Sequence, residues 1–356
     1  MLNRLETPKT ATFVSSVNRS DWSEIYHSDP LAMPSQSSTW ARSIADVGRY
    51  RDVSRFYEFD DGKRALLPLF APKFAPSLLS VWQSPPAAWG FGGLISDAPL
   101  SVLQIRAVLA DCAVLPAAAM QVRPNPLIAA TWAEAAAMAG WTPVNRCAHV
   151  LDLTGGFKYV WERRFSSNTR SKVRRAGKAG IDIDRGCDEH QVMAFDTLFR
   201  RSIRRWAKKQ NEFGWLAALR GRIRDPASKF ASISDTSGSV LNFWIARLEG
   251  RPVAGIVVLA DGNAHYTRGA IDERFIGNTY ASHLLQSNAI EAAADAGCRH
   301  YHLGETGGSD SLAQFKSSFG AVAMPYAEFR FERLPILTAD QKLRGIVKTM
   351  IGFRDV

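Results

Sequence analysis

The chain has 356 residues, 46% hydrophobic and 22% charged, the balance of a soluble globular protein with room for two domains, each with its own core. Cys112, Cys147, Cys187 and Cys298 are scattered without a C-x-x-C pair, which argues against a zinc site and a disulfide framework and fits a reducing compartment. The formal net charge of +10 is gathered in a few places and keeps a polyanionic partner in view.

The first residues, MLNRLETPKTATF, contain no apolar core of a signal peptide, and the Ala-rich stretch near 107–119 is interrupted by Asp111 and Pro116. No run approaches the roughly 18 apolar residues of a membrane span. These features predict a cytoplasmic protein with no integral membrane segment. Between Asp21 and Ile44, Trp22, Tyr26 and Trp40 alternate with polar residues and prolines, giving two short helices around a loop. Arg55–Phe59 and Lys63–Phe70 flank Asp60-Asp61-Gly62 and read as a hairpin, with Pro68 holding its second strand to an edge or bulge. Another strand, Leu78–Gln83, precedes SPPAAWGFGGLIS, which is either a wall of a substrate cleft or a packed turn under the first sheet. Two helices occupy 100–140 around a short apolar segment ending in Met120-Gln-Val122.

Ala148–Leu153 reads as a crossing strand, and a domain boundary is placed near 146. Tyr159–Ala179 reads as one helix and Gly180–Asp184 as a strand. The helix over 190–209 carries Arg200, Arg201, Arg204, Arg205, Lys208 and Lys209 in a single basic stripe opposite Phe195, Phe199, Ile203 and Trp206. With so conventional a core face and no excess of aromatics, this helix argues against a membrane-surface scaffold. Upstream, seven cations and no acid lie between Arg163 and Lys178. The basic stretches are either solvated helix faces or a surface for tRNA, a nucleotide-linked substrate or anionic lipid.

Leu241–Leu248 and Val253–Leu259 form a second hairpin across Glu249-Gly-Arg-Pro252. Residues 264–270 (AHYTRGA) follow as a strand, then the polar DERFIGN. From Thr279 the residues Ala281, Leu284, Leu285, Ala289, Ile290 and Ala293 fall at helical spacing up to Gly297, a C-cap glycine. Arg299–Leu303 is a strand, followed by a glycine-rich loop and a short helix. Glu328–Arg333 is the last strand and Ala339–Ile351 a basic helix. A strand, a glycine turn and a helix N-terminus collect backbone N–H groups at one spot, an anion site suited to a phosphate ester.

Three segments carry a family resemblance. Arg274-Phe-Ile-Gly-Asn-Thr279 looks like the R/Q-x-x-G-x-G/A loop of the GNAT acyltransferases, with Asn-Thr where a second small residue is usual. GGSDSLAQFKSSFGA resembles the Phe-Lys-x-x-Phe-Gly element of the Fem-type branch, and NTRSKVRRAGKAGIDID resembles its R-x-x-x-R-x-A-x-x-x-G segment. The resemblance implies a mixed α/β (α+β) chain of two tandem GNAT-like domains, each a mixed sheet flanked by helices. The expected division is 1–146, 147–335 and a C-terminal basic helix 336–356. Fem-type enzymes move an amino acid from aminoacyl-tRNA to an amine of a peptidoglycan precursor, and their relatives use other activated acyl donors.

Acyl transfer to an amine needs an anchored donor, a neutral amine, an oxyanion site and a proton path. The donor would be held by Arg274, Gly277, Asn278 and Thr279; Gly277 allows close backbone approach and Asn278 or Thr279 can cap the helix. Phe315 and Lys316 match the Fem-type pair, which implies a pocket-shaping ring and a lysine that stabilises charge on the donor or oxyanion. A bulged strand around Tyr266–Gly269 would offer N–H groups to the oxyanion, with Tyr266 and Arg268 facing the cleft or, for Tyr266, the core. His302, Glu305 and Asp272 are candidates for proton removal. Arg170, Lys172, Arg174 and Arg175 would hold phosphates of the acceptor or of a donor tRNA. His300 and His302 share a strand face with no third ligand nearby, so no metal is expected. The reading is an enzyme with no tightly bound cofactor, its donor an aminoacyl-tRNA or acyl-CoA. It would acylate an amine on an envelope or polysaccharide precursor. Alternatives are an acyl-CoA-dependent N-acyltransferase of a small molecule and a non-catalytic nucleic-acid-binding protein.

Overall fold

Residues 11–14, 18–47, 49–237, 240–275 and 279–353 are described by the computed structural model. They fall into two units, Met1–Arg146 with Pro325–Ala339, and Cys147–Met324 with Asp340–Val356.

The first unit begins with β1 (Ala11–Val14), α1 (Arg19–Ser28) and α2 (Ser38–Asp46). The two helices start where side-chain oxygens can accept orphan amides: Asn18 from Ser20 N at 3.2 Å, and Ser37 from Trp40 N at 3.2 Å. There follow β2 (Tyr50–Asp52), β3 (Arg55–Phe59), β4 (Arg64–Leu67), β5 (Phe70–Pro72), β6 (Val81–Ser84), β7 (Ile95–Ser96), α3 (Val102–Val114), β8 (Ala119–Val122) and α4 (Ala129–Met138). The predicted hairpin forms between β3 and β4, but its second strand stops at Pro68. Proline has no N–H to continue the ladder, and the chain beyond it joins other partners. Strands β1-β3-β4-β7 make an antiparallel sheet, whereas β5 pairs with β2 and β6, and β6 runs parallel to β8. The segment SPPAAWGFGGLIS is a packed turn: Trp89, Phe91, Leu94 and Ile95 are buried. It is held by Ser35 Oγ donating to Phe91 O (2.7 Å), Gln36 Nε2 to Gly92 O (2.9 Å) and Trp40 Nε1 to Trp89 O (2.9 Å).

The strand β9 (Thr142–Asp152) carries the chain into the second unit. The expected single helix over 159–179 is interrupted: α5 (Gly156–Tyr159) runs into a π-turn at Val160–Arg164, and α6 (Ser167–Gly177) starts afresh. Two local forces cause the break. Phe165 takes extended geometry and packs its ring edge-on against Phe319 at 5.1 Å, and Ser166 Oγ caps α6 by accepting from Thr169 N at 3.1 Å. Next come β10 (Ile181–Gly186), α7 (Glu189–Lys209), α8 (Gly214–Arg224), α9 (Ala227–Ser237), β11 (Leu241–Leu248), β12 (Arg251–Asp261), β13 (Asn263–Ile271), α10 (Ala281–Asp295), β14 (His300–Glu305) and α11 (Asp310–Ser317). The sheet order is β10-β11-β12-β13-β14-β9, antiparallel except for β13 beside β14. Leu284, Leu285, Ala289, Ile290 and Ala293 of α10 are buried as their spacing predicts, in a core with Leu151, Trp244, Ile256, Tyr301 and Phe319. The face of α7 bearing Phe195 and Phe199 is buried, but its basic stripe is not a free one. Arg200 pairs with Asp196 and Arg201 with Asp272, and Arg205 donates to Ile271 O at 2.6 Å.

The last elements are β15 (Val322–Glu332) and α12 (Ile336–Met350). The strand is longer than expected, and from Pro325 onward its residues belong to the first unit, pairing Phe329 with Val122 and Glu332 with Ala119 on β8. Glu328 is fully buried there, accepting from Arg123 at 2.7 Å and Arg330 at 2.8 Å, with Arg146 at 3.4 Å. Burial pushes its pKa up, but Arg123 and Arg146 more than offset that and hold it at about 2, against an ordinary 4.5. Between those values the unfolded chain binds the proton that the folded one refuses, so stability is lost as pH falls from about 4.5 to about 2. The contribution at neutral pH is about 3 kcal/mol. Glu328→Gln should therefore unfold more easily than wild type at pH 7 in urea, with the gap closing near pH 2; a constant gap would contradict this account.

Candidate active site

A residue inserted into β13 makes the opening that the site is built around. Val257 faces Arg268 and Val258 faces Tyr266, so Thr267 is extra, and its Oγ1 donates to Val257 O at 3.2 Å. The bulge lies just past the point where β13 leaves β14: their parallel pairing is confined to Ala264–Tyr301 and His265–His302. Beyond it β14 turns through Gly304, which adopts φ +71 and breaks register with β9 between His302 and Gly304. The expected splay around Tyr266–Gly269 is present. There β13 keeps β12 as a neighbour and has lost β14, and a strand edge without a neighbour leaves backbone groups on that side for a ligand.

Lys316 closes this opening. Carried by α11 and only 2% exposed, it donates Nζ to Gly304 O at 3.0 Å and to Glu305 O at 2.7 Å. Burial draws its pKa down to about 8, against the pull of Glu305 and Cys147 in the other direction. An ammonium has three N–H donors, and these two carbonyls take two of them. Around it stand two histidines with no signature in sequence, His149 and His265. His149 is buried, and burial and then Lys316 lower its pKa; His265 is buried, and burial, Arg268 and Lys316 bring it to about 3. His302 is wholly enclosed, and burial followed by His265 and His300 pushes it well below 6.5. Its enclosure and lowered pKa make it a weak proton acceptor. Glu305 is half-buried at the end of β14, beside the lysine that its carbonyl holds.

Tyr266 lies along its own strand, its hydroxyl occupying space that a side chain at Gly269 would need, and burial raises its pKa to about 12. Arg268 turns away to Asp225 (3.2 Å) and to Thr267 O (2.7 Å), an engagement that competes with binding substrate. Asp225 is fully buried among Arg224, Lys229 and Arg268; burial raises its pKa, but the three cations hold it below its ordinary value.

Of the segment expected to hold a donor, the described residues are arranged differently from the expectation. Arg274 pairs with Asp272 at 2.7 Å, and Asp272 also holds Arg201 at 2.9 Å. The hydrogen bond from Arg274 leads the forces that lower Asp272 to about 2, so this carboxylate is committed and is no proton acceptor. Gly277 and Asn278 lie outside the described residues. Thr279 Oγ1 accepts from Ala281 N at 3.4 Å and donates to Phe275 O at 3.2 Å, at the start of α10, where Tyr280 adopts φ +52. Two cations from α6 gather on Tyr280: Lys172 Nζ lies 5.8 Å and Arg175 Cζ 4.9 Å from its ring centroid, and Arg175 Nη1 is 3.4 Å from its hydroxyl. Their helix neighbours face elsewhere. Arg170 donates to the carbonyls of Trp161, Glu162 and Phe165 and closes the π-turn, while Arg174 lies over Trp161 at 5.7 Å. The four expected phosphate ligands thus divide into two structural residues and two at a helix N-terminus.

His283 joins the two halves. Its ring is 5.1 Å from Phe315 and 6.0 Å from Tyr280, linking the helix of Lys316 to the start of α10. Burial and then Lys172 lower its pKa to about 4. Among the described residues there is no group of three or more His, Cys, Asp or Glu placed to hold a metal, and no helix long and apolar enough to cross a membrane.

Residues 163–317, which contain the bulge, α10 and Lys316, match the family model described as an acetyltransferase (GNAT) domain. No curated protein matches the chain. Among solved structures, that of FemX shares the fold with a TM-score of 0.65 at 14% identity, over 94% of this chain and 99% of that one. A conserved protein of unknown function from Bacteroides thetaiotaomicron VPI-5482 aligns with a TM-score of 0.52 at 11% identity, over 90% of this chain and 99% of that one. The GNAT resemblance and the Fem-like mixed α/β fold read from the sequence are borne out, and with them the assignment as an N-acyltransferase.

Proposed function

On the premise that the second unit carries a GNAT acyltransferase domain, we propose that the chain joins an activated acyl or aminoacyl group to an amine of an envelope or polysaccharide precursor. The observation that carries this reading is the buried Lys316 at the mouth of the splayed β13–β14 pair. The donor carbonyl is taken to sit at the splay. As the amine attacks, the negative charge that develops on the carbonyl oxygen meets the Lys316 ammonium and the strand amides, and collapse breaks the donor's ester or thioester bond, the departing oxygen or sulfur taking up the proton that the amine releases. Donor phosphates are drawn to the N-terminus of α10, where Lys172 and Arg175 add two positive charges to the helix dipole. The Fem-type resemblance favours aminoacyl-tRNA as donor. A second reading, acyl-CoA with a small amine, is supported by the same helix N-terminus, which suits a pyrophosphate equally well.

Thermal shift separates them. Wild type and the Lys172→Ala/Arg175→Ala double variant are heated with coenzyme A, acetyl-CoA or aminoacyl-tRNA. A ligand at 100 times its dissociation constant stabilises the folded state by about 2.7 kcal/mol. A response to aminoacyl-tRNA alone, lost in the variant, supports the Fem-type donor. A coenzyme A response lost in the variant establishes the second reading. Silence to all three, or shifts unchanged in the variant, would remove this donor site.

A further inference from the structure

The helix α8 is packed inside out. Its buried residues are the small Ala217 and Gly221, and a Cβ on Gly221 would come within 2.7 Å of Ile203 Cδ1 on α7. The large apolar residues Trp215, Leu219 and Ile223, spaced four apart, form a stripe on the opposite side, with Trp215 69% exposed. Phe213, just before the helix, is exposed as well. A helix normally turns such a stripe to the core.

The same unit carries a second stripe. In α12 no residue is buried, and Leu343, Ile346, Val347 and Met350 repeat at three and four residues along one side, all exposed. The two helices are tethered near one point: Asn211, in the turn between α7 and α8, donates Nδ2 to Ile351 O at 2.8 Å and to Gly352 O at 3.3 Å.

Charge tells what these faces fit. The helix α8 carries Arg220, Arg222 and Arg224 beside its stripe, Arg220 paired with Glu212 and Arg224 with Asp225. On α12, Lys342 and Arg344 flank the stripe on either side, Arg344 in an ion pair with Asp340. Exposed apolar stripes bordered by Lys and Arg are the pattern of helices that lie in the interface of a bilayer, apolar side in the acyl boundary and cations at the headgroups. We propose that α8 and α12 form a docking surface for an anionic phospholipid membrane, on which the second unit rests. This surface lies on elements other than the basic face of α7, which is committed in part to Asp196, Asp272 and Ile271.

The test is co-sedimentation of the full chain with vesicles, in which neither donor nor acceptor enters. Wild type should bind vesicles containing phosphatidylglycerol and not those of phosphatidylcholine alone. Binding should weaken at least tenfold on raising salt from 0.1 M to 1 M, where the screening length shrinks from about 10 Å to about 3 Å. Trp215→Ser/Leu219→Ser and Ile346→Ser/Val347→Ser should each weaken binding at least tenfold while keeping the wild-type melting temperature. Equal binding of wild type and both variants overturns the proposal. So does a dimer in light scattering that these substitutions dissolve, which would make a second copy the occupant. Retention of tRNA that depends on Trp215, with no vesicle binding, overturns it in favour of RNA.

Discussion

Lys316→Met should lower kcat by about a hundred- to a thousandfold, the range for loss of one oxyanion donor, while donor binding in the thermal shift persists. The pH profile gives the sign. With a pKa near 8 the side chain is an ammonium below that value and an amine above it. A charge-stabilising lysine predicts a wild-type rate that falls as pH rises through about 8; a lysine acting as base predicts the reverse. The substitution also strips a donor from the carbonyls of Gly304 and Glu305, at about 1–3 kcal/mol for buried groups left unpaired. A purely structural lysine would therefore show a lower melting temperature with an unchanged rate per folded molecule, and that result would end the catalytic assignment.

Asp225→Asn should be among the most destabilising single changes in the second unit. The carboxylate is fully buried and meets Lys229 at 2.8 Å, Arg224 at 2.8 Å and Arg268 at 3.2 Å. Lys229 is itself buried, and burial has already drawn its pKa to about 8. Removing the one acid from three cations leaves buried charge without compensation, a change worth about 3–5 kcal/mol and on the order of 10 °C in melting temperature. Replacing the pair together, Asp225→Leu with Lys229→Met, should recover much of the loss, because an apolar pair of similar volume needs no counter-charge. Scanning calorimetry decides it: a double variant as unstable as the single one would mean that Asp225 acts through something other than Lys229. The cluster also fixes Arg268 next to the bulge, so the single variant should disturb the site.

Elements whose apolar residues face the core were legible in the sequence. The spacing in α10, the hairpin of β11 and β12 and the glycine at the end of α10 follow directly from burial period and turn chemistry. The helix α8 gave no such signal, because its large side chains point outward and its buried ones are alanine and glycine. Basic runs divide for a related reason: a guanidinium that caps carbonyls, as Arg170 does, has the same letter as one that waits for phosphate. In the candidate site, Phe315-Lys316 was visible as a pair with a family precedent. His149, His265 and His283 were not, since each stands on a different element and only the folded sheet gathers them. The commitment of Arg274 to Asp272, two residues away, depends on a local turn that composition does not reveal.

The return of Pro325–Ala339 to the first unit bears on how the protein is made. The core of that unit includes Phe329, stacked on Trp132 at 6.2 Å, and β8 has its antiparallel neighbour only when β15 arrives. Roughly 180 residues separate Arg146 from Pro325, so at about 5–20 residues per second the ribosome adds this last strand some 10–35 seconds after the rest of the unit. Throughout that interval the N-terminal segment stands on the nascent chain with an open sheet edge and an unfilled core. The part made first is thus finished late.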